Sequence, residues 1–216
     1  MRIAPLAGLV AVVLTLVGFL LLGDTPGYDA TGSEVRAFYA DHEVRTGVSL
    51  YLLVLAAVFF VFFAAHLAHV VRDVPAGGGW LHRVVLGGGL LLALGFLTGS
   101  ALTLALVDLA DEPTASGPAL QALNTLNEDF FIPFVAGLGV MLLGAGLATV
   151  RAAVSPLPRW LAWAAVVIGV LVFVPWAGFF AFMAGGLWIA VTSVLLFLRP
   201  QDGAPAETVT AGAARR

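Results

Sequence analysis

The sequence predicts an all-α protein: a bundle of six membrane-spanning helices with two short amphipathic helices on its extracytoplasmic side. The first observation is compositional. The chain is 61% apolar and 11% charged, with a mean hydropathy of +1.03, whereas soluble domains carry about 25% charged residues. The second is that uncharged runs recur at a length matching bilayer thickness. The third is that arginines and acids alternate between successive loops as a multi-pass topology requires. The same composition excludes disorder, a coiled coil and a nucleic-acid partner, since a net charge of -3 offers phosphates no attractive field. With no lysine there is no Schiff-base chemistry, and with no cysteine there is no disulfide, thiolate nucleophile or Cys-ligated metal. An all-arginine basic set, with Ala, Gly, Val and Leu dominant, matches the codon bias of a GC-rich bacterium.

A helix rising 1.5 Å per residue needs about 20 apolar residues to cross roughly 30 Å of hydrocarbon. Residues 3–22, 48–71, 84–107 and 130–150 meet that requirement. A further uncharged stretch, from Trp160 to Leu198, is 39 residues long. As one straight helix it would reach roughly 60 Å, so it must reverse. Val174-Pro175-Trp176-Ala177-Gly178 combines a residue without an amide hydrogen, an interfacial indole and a glycine, which places a tight hairpin there. The last two spans are then 160–174 and 179–198. The membrane domain covers 1–200, and a flexible cytoplasmic tail covers 201–216, too small and polar to pack. The first run also resembles a secretory signal. Its apolar length exceeds the usual core of about 7 to 15 residues and no A-x-A precedes Asp24, which favours a retained helix.

Orientation follows from the arginines. Arg2, Arg72, Arg83, Arg151, Arg159, Arg199, Arg215 and Arg216 fall in the N-terminus, the second and fourth loops and the tail, accompanied by only Asp73, Asp202 and Glu207. The alternate loops and their flanks hold the other ten acids with only Arg36 and Arg45. The positive-inside rule therefore puts both termini in the cytoplasm of a bacterial inner membrane. Tyr51, Phe130, Phe131 and Trp176 fall at outer span ends, and Trp160 and Trp163 at inner ones.

In the first outer loop Thr31 and Glu34 have capping-box spacing, and Val35, Phe38, Tyr39 and His42 recur on one helical stripe. In the third loop Ser116 serves as a cap, Pro118 falls in the first turn, and Leu120, Leu123 and Leu126 follow. These two helices form either a lid over the outer face or solvated connectors that shield helix ends. Small residues provide the contacts that lipid-embedded helices use to associate: Gly95 and Gly99, then Gly137, Gly144 and Ala148, then Ala177, Ala181 and Gly185. They serve packing within the chain or an interface with a second copy. Gly87-Gly88-Gly89 lacks the following lysine and hydroxyl of a phosphate loop.

No Asp, Glu or Arg sits near the middle of a span, which speaks against proton-coupled transport. Ser49, Thr98, Ser100, Thr103, Thr192 and Ser193 can bond their own helix carbonyls. His66 and His69 share a helix face near an inner end, and His82 lies across the short inner loop. Neutral imidazoles bind zinc, copper or haem iron, so these three form a candidate site for a divalent metal or haem. The competing reading is a half-polar pair resting at the headgroups, since haem takes axial ligands from opposite sides and no other span offers a histidine. Asp41-His42-Glu43 and the group Asp108, Asp111, Glu112, Glu128 and Asp129 either hold a hard cation or form a solvated acidic face. No Ser-His-Asp arrangement is marked, and Trp188 reads as a packing anchor.

Gly23-Asp24-Thr25-Pro26, Phe38-Tyr39-Ala40-Asp41-His42, Gly79-Trp80-Leu81 and Leu157-Pro158-Arg159-Trp160-Leu161-Ala162-Trp163 resemble an uncharacterised family of bacterial six-helix multi-pass membrane proteins, of the domain-of-unknown-function type. The resemblance spans nearly the whole chain. It implies a six-helix membrane protein and brings no activity, substrate or catalytic residue. The sequence thus leads to a non-enzymatic structural or accessory component without a cofactor, partnered by membrane lipid, a membrane protein or a second copy. A small carrier or channel for an apolar or neutral solute and a His-ligated metal or haem protein are the alternatives.

Overall fold

The computed structural model describes residues 4–74, 79–152, 155 and 157–199. After a 3-10 turn at Ala4–Leu6 these form α1 (Ala7–Leu22), α2 (Gly32–Asp41), α3 (Glu43–Arg72), α4 (Leu81–Asp111), α5 (Gly117–Asp129), α6 (Ile132–Val150), α7 (Arg159–Leu171) and α8 (Gly178–Leu198). The described residues are all-helical, without a strand. Arg2 and the expected tail lie outside them.

Five stretches are long and apolar enough to cross a membrane: Ala4–Leu22, Glu43–Arg72, Leu81–Asp111, Gly117–Val150 and Gly178–Leu198. α3 and α4 run to 30 and 31 residues, beyond their uncharged cores, because each continues through the polar turns that flank it. The fourth stretch is broken at Phe130 and Phe131. Pro133 explains the break: it has no amide hydrogen for the carbonyl of Asp129, and its ring would collide with that carbonyl. The Phe130 amide turns back to the Asn127 carbonyl, and the ladder restarts with Val135 donating to Phe131 at 3.1 Å. The helix expected from residue 130 therefore begins at Ile132.

The long uncharged stretch reverses at the expected place. α7 ends at Leu171, turns follow, and the Val174 carbonyl accepts from both the Ala177 and Gly178 amides before α8 starts. Across this hairpin the Trp188 indole donates to the Leu161 carbonyl at 2.8 Å, holding the two arms antiparallel. α7 has 13 residues, about 20 Å of rise, and is shorter than the 160–174 expected because the turns begin before Pro175.

α6 lies between α4 on one side and α7 on the other. It carries glycine toward both. A Cβ at Gly137 would land on the Leu92 backbone and one at Gly88 on the Met141 backbone, so α4 and α6 touch main chain to main chain. On the opposite side Gly146 faces Val166 and the Ala162 carbonyl, and Gly139 faces Phe173. Gly95 and Gly99 pack against Pro133 and Phe134, and Gly185 against Leu138. The small-residue faces found in the sequence thus serve packing within the chain. α1 belongs to the same core, with Ala7 and Ala11 buried and Gly8 against Phe63 and Ser193.

At the middle of the bundle Phe96 gathers rings from several helices. Phe60 stacks on it at 5.3 Å, Phe134 meets it edge-on at 4.7 Å, Phe19 lies 6.2 Å away, and Phe182 joins through Phe134. Outside, the polarity is that of a lipid-facing surface: Val13, Leu16, Leu20, Val58, Phe62, Leu94, Val167, Phe179 and Leu187 are all exposed. So many large apolar side chains exposed at once are uncharacteristic of a water-soluble monomer.

Candidate functional site

Polar chemistry concentrates at the end of the bundle built from α2, α5, the tip of α4 and the segment between α1 and α2. α2 starts with the expected capping box: Thr31 Oγ1 accepts from the Glu34 amide at 3.3 Å, and the Glu34 carboxylate accepts from the Thr31 amide at 2.7 Å. These bonds favour the ionised form and hold the Glu34 carboxyl below the usual carboxylate range. The apolar stripe of α2 then buries Val35 and Tyr39 against Leu106, Val107 and Ala110 of α4 and Leu120 of α5, forming a second small core. Phe38 and His42 complete the stripe half-buried, with their rings 4.7 Å apart.

α5 starts at Ser116, whose hydroxyl accepts from the Ala119 amide, with Pro118 in its first turn. Its buried face departs from the expected leucine row. Leu120 is buried and Leu123 half-buried, but Leu126 is 52% exposed, and the position packed inward one turn after Leu120 is Asn124. A polar side chain at 1% exposure needs partners, and the Asn124 amide donates to the carbonyls of Pro26 and Gly27 at 3.0 and 3.1 Å. Thr25 donates to Glu128 at 3.1 Å and Tyr28 to Asp129 at 3.3 Å. Segment 23–30 is thereby strapped across α5. Thr103 of α4 donates to Asn127 at 3.0 Å and ties the same helix to the bundle.

Within this cap two buried polar atoms have no hydrogen-bond partner among the described residues, the Tyr39 hydroxyl and Asn124 Oδ1. Desolvation, with a smaller contribution from the Glu128 carboxylate, pushes the Tyr39 phenol up to about 12.

The two arginines on this acidic end serve helix termini. Arg36 donates to the carbonyls of Ala110, Glu112 and Ala115, at 3.0, 2.9 and 2.6 Å, and ties the C-terminus of α4 to the loop that follows it. Arg45 donates to the Leu22 carbonyl of α1 at 3.3 Å and lies over the Phe38 ring. Glu112 accepts from the hydroxyl and amide of Thr114, which lowers its carboxyl. Charge counting in the sequence registers these arginines as exceptions and carries no signal of the carbonyls they cap.

The histidines sit at the other end. His69 interacts through both ring nitrogens: Arg72 donates to Nδ1 at 3.1 Å, and Nε2 lies 3.7 Å from Asp73. His82 donates from Nδ1 to the Gly79 carbonyl at 2.7 Å. His66 is half-buried on α3. Among the described residues no three His, Asp or Glu side chains come together as a metal-binding group, so His66, His69 and His82 are not gathered into one site. Among the described residues the acids of the cap end are likewise not gathered into one.

Two surface recesses lie at the cap end. One is lined by the end of α1 and the junction of α2 and α3, the other by segment 24–31 and α2. Neither is lined by a residue of the Phe96 cluster. Comparison with family models, with curated proteins and with solved structures finds no match for this chain.

Proposed function

We propose that the chain is a six-crossing protein of a bacterial inner membrane, termini inward, acting as a non-enzymatic structural or accessory component that engages lipid or a membrane partner. The observation that carries this reading is a solid interior inside a greasy exterior. Glycine brings α4 and α6 into backbone contact, phenylalanine rings fill the centre, and the exposed surface is apolar. A carrier or channel needs a polar or open path between its faces, whereas here α4 and α6 meet backbone to backbone and the Phe96 rings pack between helices. A metal or haem reading needs ligands beyond three histidines that do not converge. The family resemblance implies a six-helix membrane protein and is silent on activity.

Sidedness is testable because the chain has no cysteine of its own. Single cysteines introduced as Thr114→Cys and Ser155→Cys, probed on intact cells with a membrane-impermeant maleimide, should label at 114 and label at 155 only after permeabilisation. The opposite pattern overturns the orientation. Extraction in mild detergent followed by size analysis should give a particle with lipid or a partner attached, and a bare monomer counts against the accessory role.

A further inference from the structure

The surface of α3 carries an unbroken apolar stripe: Val44, Val48, Tyr51, Leu55, Val58 and Phe62 follow helical spacing, with Val44 78%, Tyr51 64% and Phe62 61% exposed. From Val44 to Phe62 it rises about 27 Å, close to the thickness of a hydrocarbon core of roughly 30 Å. It runs directly into the recess at the α2–α3 junction, whose apolar floor includes Leu21, Val44 and Val48 and whose rim carries Asp41, Glu43 and Arg45. All three charged residues are exposed, and none makes an ion pair among the described residues. Arg45 has spent one donor on the Leu22 carbonyl and has four N–H groups left.

We infer that this recess and stripe bind one zwitterionic phospholipid carrying a primary ammonium, such as phosphatidylethanolamine, with phosphate on Arg45, ammonium on Asp41 and Glu43, and an acyl chain along the stripe of α3. Charge selects this class. A guanidinium suits a phosphate oxygen, and two carboxylates beside it repel an anionic headgroup but accept hydrogen bonds from an ammonium. A trimethylammonium has no hydrogen to donate. An uncharged diacylglycerol makes no use of the rim. The inference rests on the membrane reading, and it names the lipid that reading leaves open.

The test is native mass spectrometry of the delipidated full chain in mild detergent, titrated separately with phosphatidylethanolamine, phosphatidylcholine, phosphatidylglycerol and diacylglycerol of identical acyl chains. One phosphatidylethanolamine should be retained about tenfold better than the others, the scale of one charge-assisted hydrogen bond. Arg45→Gln should remove that advantage and Arg45→Lys should restore part of it. Asp41→Asn with Glu43→Gln, which leaves the α1 cap intact, should abolish the discrimination against phosphatidylglycerol. Equal retention of the four lipids, or variants with an unchanged preference, overturns the inference. So does a dimer mass that vanishes on Val48→Ser with Tyr51→Ser, which would assign the stripe to a second copy. The titration is made in detergent, so its failure leaves the cysteine-labelling result untouched, and the two readings fall separately.

Discussion

Alanine at Gly137 and alanine at Gly87 are the same chemical change on two helices of this bundle, and they should act with opposite signs. A Cβ at Gly137 would overlap the amide nitrogen and Cα of Leu92, atoms that cannot rotate aside, so α4 and α6 must separate along their closest line. Overpacking a well-filled interior costs about 1 to 3 kcal/mol, and a collision with backbone sits at the upper end, about 3 kcal/mol. Separation also loosens the neighbouring contact between Gly88 and Met141. At Gly87 nothing lies within 4 Å of the added methyl, so the variant keeps only the propensity gain of alanine over glycine, up to about 1 kcal/mol. The two variants should therefore bracket the parent by about 4 kcal/mol in total. Thermal unfolding in detergent, followed by Trp fluorescence and by loss of the monodisperse peak on size exclusion, reads both on one scale. Gly137→Ala at or above the parent's midpoint would show that the α4–α6 contact is not close enough to govern stability.

Four further outcomes follow from the cap. Tyr39→Phe removes a buried hydroxyl that has no partner among the described residues and should stabilise by roughly 1 kcal/mol in the same melt, whereas a loss would reveal a bound water or ligand there. In an alkaline titration read at 295 nm, Tyr39 should ionise near its value of about 12, and its contribution to stability, intact below the ordinary phenol range, should be lost as pH rises through that value. Glu34 has the reverse sign: its carboxyl is lowered, so its contribution is present above the unfolded carboxylate value and disappears as pH falls through the folded one, and Glu34→Gln should flatten the acid side of the stability profile. Arg36→Met should cost roughly 2 kcal/mol and speed proteolysis within 110–116, because three carbonyls lose a charged donor, and unchanged cleavage refutes the capping role.

Most of the fold was legible because lipid imposes a length and glycine and proline impose breaks. The hairpin at Pro175 and the capping box at Thr31 rest on backbone chemistry that belongs to those residues alone, and both stand where that chemistry puts them. The register of α5 was not legible. Its row of leucines points to 126, but the strap needed a donor for two carbonyls, and Asn124 met that need from a position that hydropathy scores as polar. The roles of Arg36 and Arg45 were not legible for a similar reason: their acceptors are main-chain carbonyls, which leave no mark in the sequence. The three histidines show the limit of spacing as a signal. His66 and His69 share a helical face as expected, but a shared face does not bring His82 to them.

The closure of the cap also fixes an order of assembly. Arg36 finds its acceptors 74 to 79 residues further along the chain, and Tyr39 rests on leucines that are made equally late. At roughly 5 to 20 residues per second, the ribosome would supply them about 4 to 15 s after α2 emerges. During that interval α2 waits with its apolar stripe bare and a loose guanidinium beside it, so the nascent chain has a window in which a holding chaperone or the bilayer surface must shelter one helix until α4 and α5 arrive.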